Sequence, residues 1–450
     1  MTQLSELARR AVEAATGAGA GEAEAYVSRE GGREVRVHGG EVESLTAATQ
    51  SGIGVRAWIG HRVGYAYGTD FSEAGVRAVA GRAAEAASVA DEDEFASPPE
   101  PSEFEGLPGL SDPSLAEWET SRVAELALTV ERTALGSDPR IAGVEQAVYA
   151  DSAERVAIAS STGVAGEYEA SSCYAYLQAL AEGDGARETG LGFGLARGPR
   201  GLDPESIGAE GAERALAMIG ATKPRSRSCP VVLDETVAAS FAGLIGGALA
   251  ARAVQRGRSP FVGRLGEEVA SEAFVLLDDG RDPDGPASAP FDGEGVPRRR
   301  TALVEGGRLR SFLFDTYSAN REGGASTGSA SRQGYRSLPS ASSSNLVVAP
   351  GTQSLDELLA LAGDGVLVAD VAGLHSGVNP VTGVFSVGAS GRVIRDGELA
   401  EPVREFTIAG ELVAMLGAVS AAGAEARWVP FGGSVSTPPL LIAEMAISGS

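Results

Sequence analysis

Three histidines, His38, His61 and His375, and two cysteines, Cys173 and Cys229, have the strongest claim on a transition metal in this chain. A zinc site needs three or four such donors, commonly with two imidazoles about one helical turn apart. No histidine here is followed by glutamate, no two lie a turn apart, and the cysteines form no Cys-x-x-Cys. The spacing therefore predicts no local metal site. Ser160-Ser-Thr-Gly163 and Ser340-Ala-Ser-Ser-Ser344 offer hydroxyls without an adjacent general base, which argues against a serine hydrolase. Gly190-Leu-Gly-Phe-Gly194 lacks the lysine and the following helix of a phosphate loop. The most informative stretch is Gly377-Val-Asn-Pro-Val-Thr-Gly-Val-Phe-Ser-Val-Gly-Ala-Ser-Gly391. Its glycines, proline and small hydroxyl residues predict a tight turn leading into a β-strand. His375 precedes it, and Asn379, Thr382 and Ser386 are its polar groups.

The wording of that block, with Val403-Arg-Glu-Phe-Thr-Ile-Ala-Gly410, resembles the C-terminal region of the TldD/PmbA (TldD/TldE) metalloproteases. The resemblance runs along nearly the whole chain. It includes Val35-Arg-Val-His-Gly-Gly-Glu-Val-Glu43 and Gly52-Ile-Gly-Val-Arg-Ala57 near the start. In the middle it includes Ala253-Val-Gln-Arg-Gly-Arg-Ser259, Leu265-Gly-Glu-Glu-Val-Ala-Ser271, Phe291-Asp-Gly-Glu-Gly-Val-Pro-Arg-Arg-Arg-Thr301 and Ser326-Thr-Gly328. The family works as two subunits, of which one carries zinc. In the zinc-bearing branch a helix after a Pro-Val-Val-Leu-type strand holds His-Glu-x-x-x-His, and a cysteine near the C-terminus completes the site. Here the strand is Pro230-Val-Val-Leu233, but the helix expected over Thr236–Ala251 holds neither His nor Glu. Val237, Phe241, Leu244, Ile245, Ala248 and Leu249 repeat at core-helix spacing. Val429-Pro-Phe-Gly-Gly-Ser-Val-Ser-Thr437 has no cysteine.

The resemblance thus implies a PmbA/TldE-like subunit without the zinc motif. It implies no cofactor on this chain, zinc on a TldD-like partner in a heterodimer, and cleavage of unfolded or modified peptides by the pair. His375, Asn379, Thr382 and Ser386 are the expected substrate- or partner-facing residues. Against this stands a plain turn with an inert loop histidine. Two other functions remain open: a complex recruited to natural-product biosynthesis that acts on an amide or related bond of a small molecule, and a stand-alone binding protein.

Composition narrows the rest. The formal charge of −24 opposes binding to nucleic acid or anionic lipid through bulk electrostatics. No run approaches the roughly 18 apolar residues of a membrane span, and the N-terminus lacks the basic-then-apolar layout of a signal peptide. Two cysteines build no disulfide framework, so a cytoplasmic location is expected. Pro297-Arg-Arg-Arg-Thr301, with Arg321, Arg332 and Arg336, reads as a solvated basic face; an acidic-substrate groove or a subunit contact is the alternative.

A chain of 450 residues exceeds one hydrophobic core. The pattern predicts an α+β chain, with an N-terminal mixed α/β region and a β-rich, sandwich- or barrel-like C-terminal domain. The expected segments are an α+β domain over 1–90, an acidic proline-rich linker over 91–113, a central α+β domain over 114–225 and the β-rich domain over 226–450. Helices are expected at Ser5–Ala15, Ser72–Ala87, Ser114–Leu135 and Asp203–Ile219. Short strands are expected at Glu22–Ser28, Glu34–Val37, Val42–Thr46, Gly54–Ile59 and Arg62–Tyr67, with longer ones at Ile141–Ser161 and Gly166–Ala181. Glu305-Gly-Gly307 and Arg395-Asp-Gly397 read as hairpin turns, and Pro438–Ile447 as a last strand.

Overall fold

The computed structural model describes residues 3–183, 185–431 and 433–450; Met1, Thr2, Asp184 and Gly432, which fall within the 1–90, 114–225 and 429–437 readings above, lie outside the described residues. Residues 22–196 form one antiparallel sheet of six strands in the order β3-β2-β1-β4-β5-β6. These are β1 (Glu22–His38), β2 (Glu41–Ile59), β3 (Arg62–Gly68), β4 (Ile141–Ser160), β5 (Ala165–Gly183) and β6 (Ala186–Ala196). The short strands expected in the first segment are fused into two long ones. Strand β1 pairs with β4 from Glu24–Ser160 to Val37–Ala147, so a single sheet runs through both the 1–90 and the 114–225 segments.

Four helices cover one face of this sheet. Leu4–Gly17 and Glu73–Val89 bury Val27, Ile53 and Val55, while Thr120–Ser137 and Pro204–Leu216 bury Val35, Val37, Tyr149 and Leu177. Ser72 and Asp203 cap their helices through side-chain oxygens, as their types and positions predict. The helix expected from Ser114 to Leu135 is broken. Ser114–Glu117 is one turn, Trp118 is extended, and a new helix starts at Thr120. The cause is Arg33, whose guanidinium takes the carbonyls of Trp118 (2.6 Å) and Leu115 (3.0 Å) that a continuous helix needs.

The other face of the sheet meets the C-terminal domain. Tyr26, Val156 and Ile158 pack there on Phe291 and Tyr335. The 91–113 segment has no helix or strand and lies strapped across this junction. The Phe104 ring sits 4.8 Å from Phe291, and Asn320 donates to the carbonyl of Phe95.

Beyond residue 226 the expected barrel is present. Strands Glu398–Glu411, Val384–Arg395, Gly365–Ala372, Arg227–Leu233 and Leu440–Ser448 are paired in that order, and the last pairs back onto the first through Thr407–Ala409. A second six-stranded sheet runs from Arg308–Leu309 to Arg427–Val429. Both hairpin turns form as their sequences predict: Asp396 and Gly397 have φ of 53° and 81°, and Gly306 and Gly307 have 58° and 72°.

Candidate functional site

Strand Arg227–Leu233 delivers the chain to Asp234, whose carboxylate caps the next helix by accepting from the Thr236 amide at 2.9 Å. That helix is Glu235–Ala248, so it starts one residue before the expected boundary and does carry a glutamate, at its first position. It also ends earlier, because Leu249 and Ala251 exchange backbone bonds with Leu313. The helix packs against strands of both C-terminal sheets. Val237, Phe241 and Ile245 are buried in the main core, with Leu244 and Ala248 packed beside them.

The polar groups of this helix are already engaged. Glu235 accepts from Arg214 at 2.8 Å, Thr236 Oγ1 donates to Asp234, and Ser240 Oγ donates to the Thr236 carbonyl. Arg214 also lies 3.2 Å from Glu210 and 3.5 Å from Asp234, and Arg427 reaches Glu210 at 2.6 Å. Burial pushes the Asp234 carboxyl up to about 6, against the pull of Arg214. These carboxylates and guanidiniums clamp the Pro204–Leu216 helix to the barrel. This donor set, with no imidazole and each carboxylate on an arginine, does not fit a zinc ion. Among the described residues, no group of three or more His, Cys, Asp or Glu is placed to hold a metal.

The second candidate region is the turn before strand Val384–Arg395. Residues Leu374–Gly377 form one helical turn after Gly373, whose φ is 84°. The chain then reverses, with Val378 bridging Phe385 and the Asn379 amide donating to the Val384 carbonyl at 2.8 Å. Asn379 Oδ1 accepts from the amides of Val381 (2.9 Å) and Thr382 (3.2 Å), so its oxygen is spent within the turn. Thr382 Oγ1 accepts from the Val384 amide at 3.3 Å. Gly383 has φ of 74° and its carbonyl accepts from Leu412.

All four residues expected to face a substrate or partner, His375, Asn379, Thr382 and Ser386, are exposed and share this turn and the strand it enters. Asn379 and Thr382 are first of all turn-building residues. His375 and Ser386 are the freer polar groups. What the sequence did not single out is the apolar rim beside them. Val381 and Val384 are 47% and 54% exposed, and Gly383 packs against Pro260, which carries Val262, 48% exposed, two residues on. The signal was present in the valines of Pro380-Val-Thr-Gly-Val384.

A third feature was also missed. Glu24 and Arg56 of the N-terminal sheet meet Glu294 and Arg332 of the C-terminal domain in a buried network. Arg56 pairs with both Glu24 and Glu294, the latter at 2.9 Å, and Arg332 pairs with Glu24. Arg332 therefore does not belong to a solvated basic face: its side chain is 1% exposed, and it also donates to the Gly293 carbonyl at 2.6 Å. Arg299, Arg300 and Arg336 are exposed, as expected. The Asp292 carboxyl beside this network is pushed up to about 7 by burial and by Glu294.

Comparison with known proteins matches three consecutive family models along the chain. They are the PmbA/TldA metallopeptidase domain 1 over residues 23–87, the central domain over 113–219 and the C-terminal domain over 226–449. A Haemophilus influenzae protein named Metalloprotease PmbA homolog is 29% identical over 460 residues, covering 100% of this chain and 96% of that protein. A second protein of the same organism, named Metalloprotease TldD homolog, is 25% identical, covering 89% and 87%. The crystal structure of TldE from Thermococcus kodakarensis superposes with a TM-score of 0.91 at 24% identity, covering 98% of this chain and 99% of that one, so the fold is shared.

Proposed function

Because the chain belongs to the TldD/PmbA family of metallopeptidases, we propose that it is the metal-free, PmbA/TldE-type subunit of a two-chain peptidase. Its partner is a TldD-like chain that carries the zinc, and the pair cleaves unfolded or modified peptides. The observation that carries this reading is the Glu235–Ala248 helix. Where the resemblance places the zinc ligands of the other branch, this helix presents Val237, Phe241 and Ile245 to a packed core. An enzyme subunit without its own metal has an architectural role: to close the cavity and help hold extended substrate. Relatives of both branches occur in one organism, Haemophilus influenzae, which suits a pair of unlike subunits.

The exposed 375–386 turn is the surface we assign to the partner or to the shared cavity. Its backbone is fixed by its own hydrogen bonds, so little ordering entropy is lost on docking. Its valine rim supplies apolar area.

Co-purification from the native source with elemental analysis of the separated chains tests the assignment. We expect zinc on the partner and less than stoichiometric zinc here, with peptidase activity only in the pair. About one tightly held zinc per isolated chain, or chelator-sensitive cleavage by the isolated chain, would overturn it.

A further inference from the structure

Strand β2 is paired by β1 except at Glu43, the bulge residue opposite Arg36/Val37, but β3 covers only Ile53–Ile59 on its other side. The stretch Glu41–Gln50 is exposed at every residue, and the edge from Glu43 to Ser51 has no pairing partner among the described residues. The direction of its backbone groups follows from the ladder. In an antiparallel sheet a residue's N–H and C=O point to the same side. The Ala23 carbonyl accepts from Ser161, so odd residues of β1 point to β4 and even ones to β2. From Arg36–Ser44 onward the β1–β2 register pairs even with even, so Leu45, Ala47, Thr49 and Ser51 point their N–H and C=O groups outward; Glu43 is the bulge residue opposite Arg36/Val37 and lies outside this alternation.

Natural open edges are normally blunted by lysine, proline, a bulge or a covering segment. Residues 44–52 contain no charge and no proline, and the irregularity of this hairpin lies outside them, at Arg36/Val37. Leu45 is 48% exposed and stands beside Val35, which is fully buried under the helix layer. The helix-side core therefore stops abruptly at an unfinished rim.

We propose that this edge pairs antiparallel with the same edge of a second copy of the chain, joining two six-stranded sheets across a two-fold axis. The segment is compatible with its own reverse. With the axis at Ala47, Leu45 faces Thr49 and Ser44 faces Gln50, and no charge lies within 44–52, so no like charges meet. The outward groups of Leu45, Ala47 and Thr49 are used, and an isologous contact of this kind closes at two copies. The pairing does not rest on the peptidase reading and uses neither the 375–386 turn nor the barrel.

Light scattering on the isolated full chain tests this at about 0.15 M salt, where the Debye length is roughly 8 Å and the repulsion between two acidic copies is screened. The wild type is expected at twice the 45.7 kDa of one chain. Ala47→Pro deletes an outward N–H that β1 does not use, a position where an edge strand tolerates proline. Leu45→Lys puts a charge at the seam. Both are expected to be monomers with the wild-type circular dichroism. Hydrogen exchange on the wild type supplies a readout without mutation: the amides of Leu45, Ala47 and Thr49 should slow as concentration rises. A wild type that stays monomeric, a dimer that survives both substitutions, or fast exchange at these amides in the dimer would overturn the proposal.

Discussion

In the C-terminal core Phe241 meets Phe385 with ring centroids 5.1 Å apart, and Phe261, Phe274 and Phe406 are buried nearby. In the core beneath the first two helices there is no phenylalanine at all among the buried residues. Ala8, Ala11, Ala80, Ala83 and Ala84 line the helices, and Ala23, Ala25 and Ala57 line the sheet. The barrel is closed by the pairing of Thr407–Ala409 onto 446–448, and its stability comes from filling a wide interior with large side chains. The N-terminal sheet is open, and its helices are drawn so close that main chain touches main chain. A Cβ built on Gly64 of β3 would sit 2.2 Å from the Ala83 carbonyl oxygen. The two halves therefore fail in opposite ways: one is sensitive to lost volume, the other to added volume.

The largest effect is expected from Phe241→Ala in the barrel core. Removing a buried ring costs about 3–5 kcal/mol when the site cannot collapse. Denaturant titration should show the full loss; a cost under about 1 kcal/mol would show that this core is not close-packed. The sharper probe of the other half is Gly64→Ala, where one added methyl must push a helix backbone away. Overpacking of this kind costs about 1–3 kcal/mol. Its control is Gly81→Ala on the same Glu73–Val89 helix, where a Cβ meets nothing within 4 Å. That change should stabilise by roughly 0.5–1 kcal/mol through helix propensity. If both changes have the same sign, close helix–sheet contact is not what limits this half.

A smaller effect concerns pH. Burial pushes the Asp278 carboxyl of the second C-terminal sheet up to about 6, although Arg298 and Ser344 favour its charged form. Its folded value lies above its unfolded one, so the native state holds the extra proton between about pH 4 and 6. The contribution of this group to stability therefore falls as pH rises through that window. Asp278→Asn removes the titration, and the stability of the variant should fall less steeply with pH across it than that of the wild type. Parallel profiles would sink the assignment.

The smallest effect on stability is expected at the exposed turn. Val381→Asp with Val384→Asp should move the melting midpoint little, since surface changes usually stay within about 0.5 kcal/mol. The same pair should weaken assembly with a TldD-like chain. Normal assembly and turnover in the double variant would remove this rim from the functional surface.

Much of this contrast was readable before the fold. Ser72 and Asp203 marked two helix starts, and Asp396-Gly397 and Gly306-Gly307 marked two hairpins. These are local signals, because a cap or a type I′ turn is decided by a few neighbouring residues. The break at Trp118 was not readable, because it depends on Arg33, which is 85 residues away in sequence. The Gly377–Gly391 turn was found from its residue types, yet the role of Asn379 was not. Only the folded backbone shows that its oxygen is used by Val381 and Thr382.

The sequence by itself determined the helix and strand types, the β-rich C-terminal half, the lack of a His-Glu-x-x-x-His helix and the family resemblance. Each of these depends on residue type and near spacing. Tertiary structure decided that β1 and β4 fuse two segments into one sheet, that β2 ends in an open edge, and that Arg332 is buried. Pairing between distant strands and the desolvation of a charge are set by what the rest of the chain brings alongside. Arg332 and Glu24 lie 308 positions apart and meet only because the C-terminal domain packs on the helix-free face of the N-terminal sheet. In the same way, an arginine in a basic-looking stretch is paired or solvated according to the partner that folding supplies.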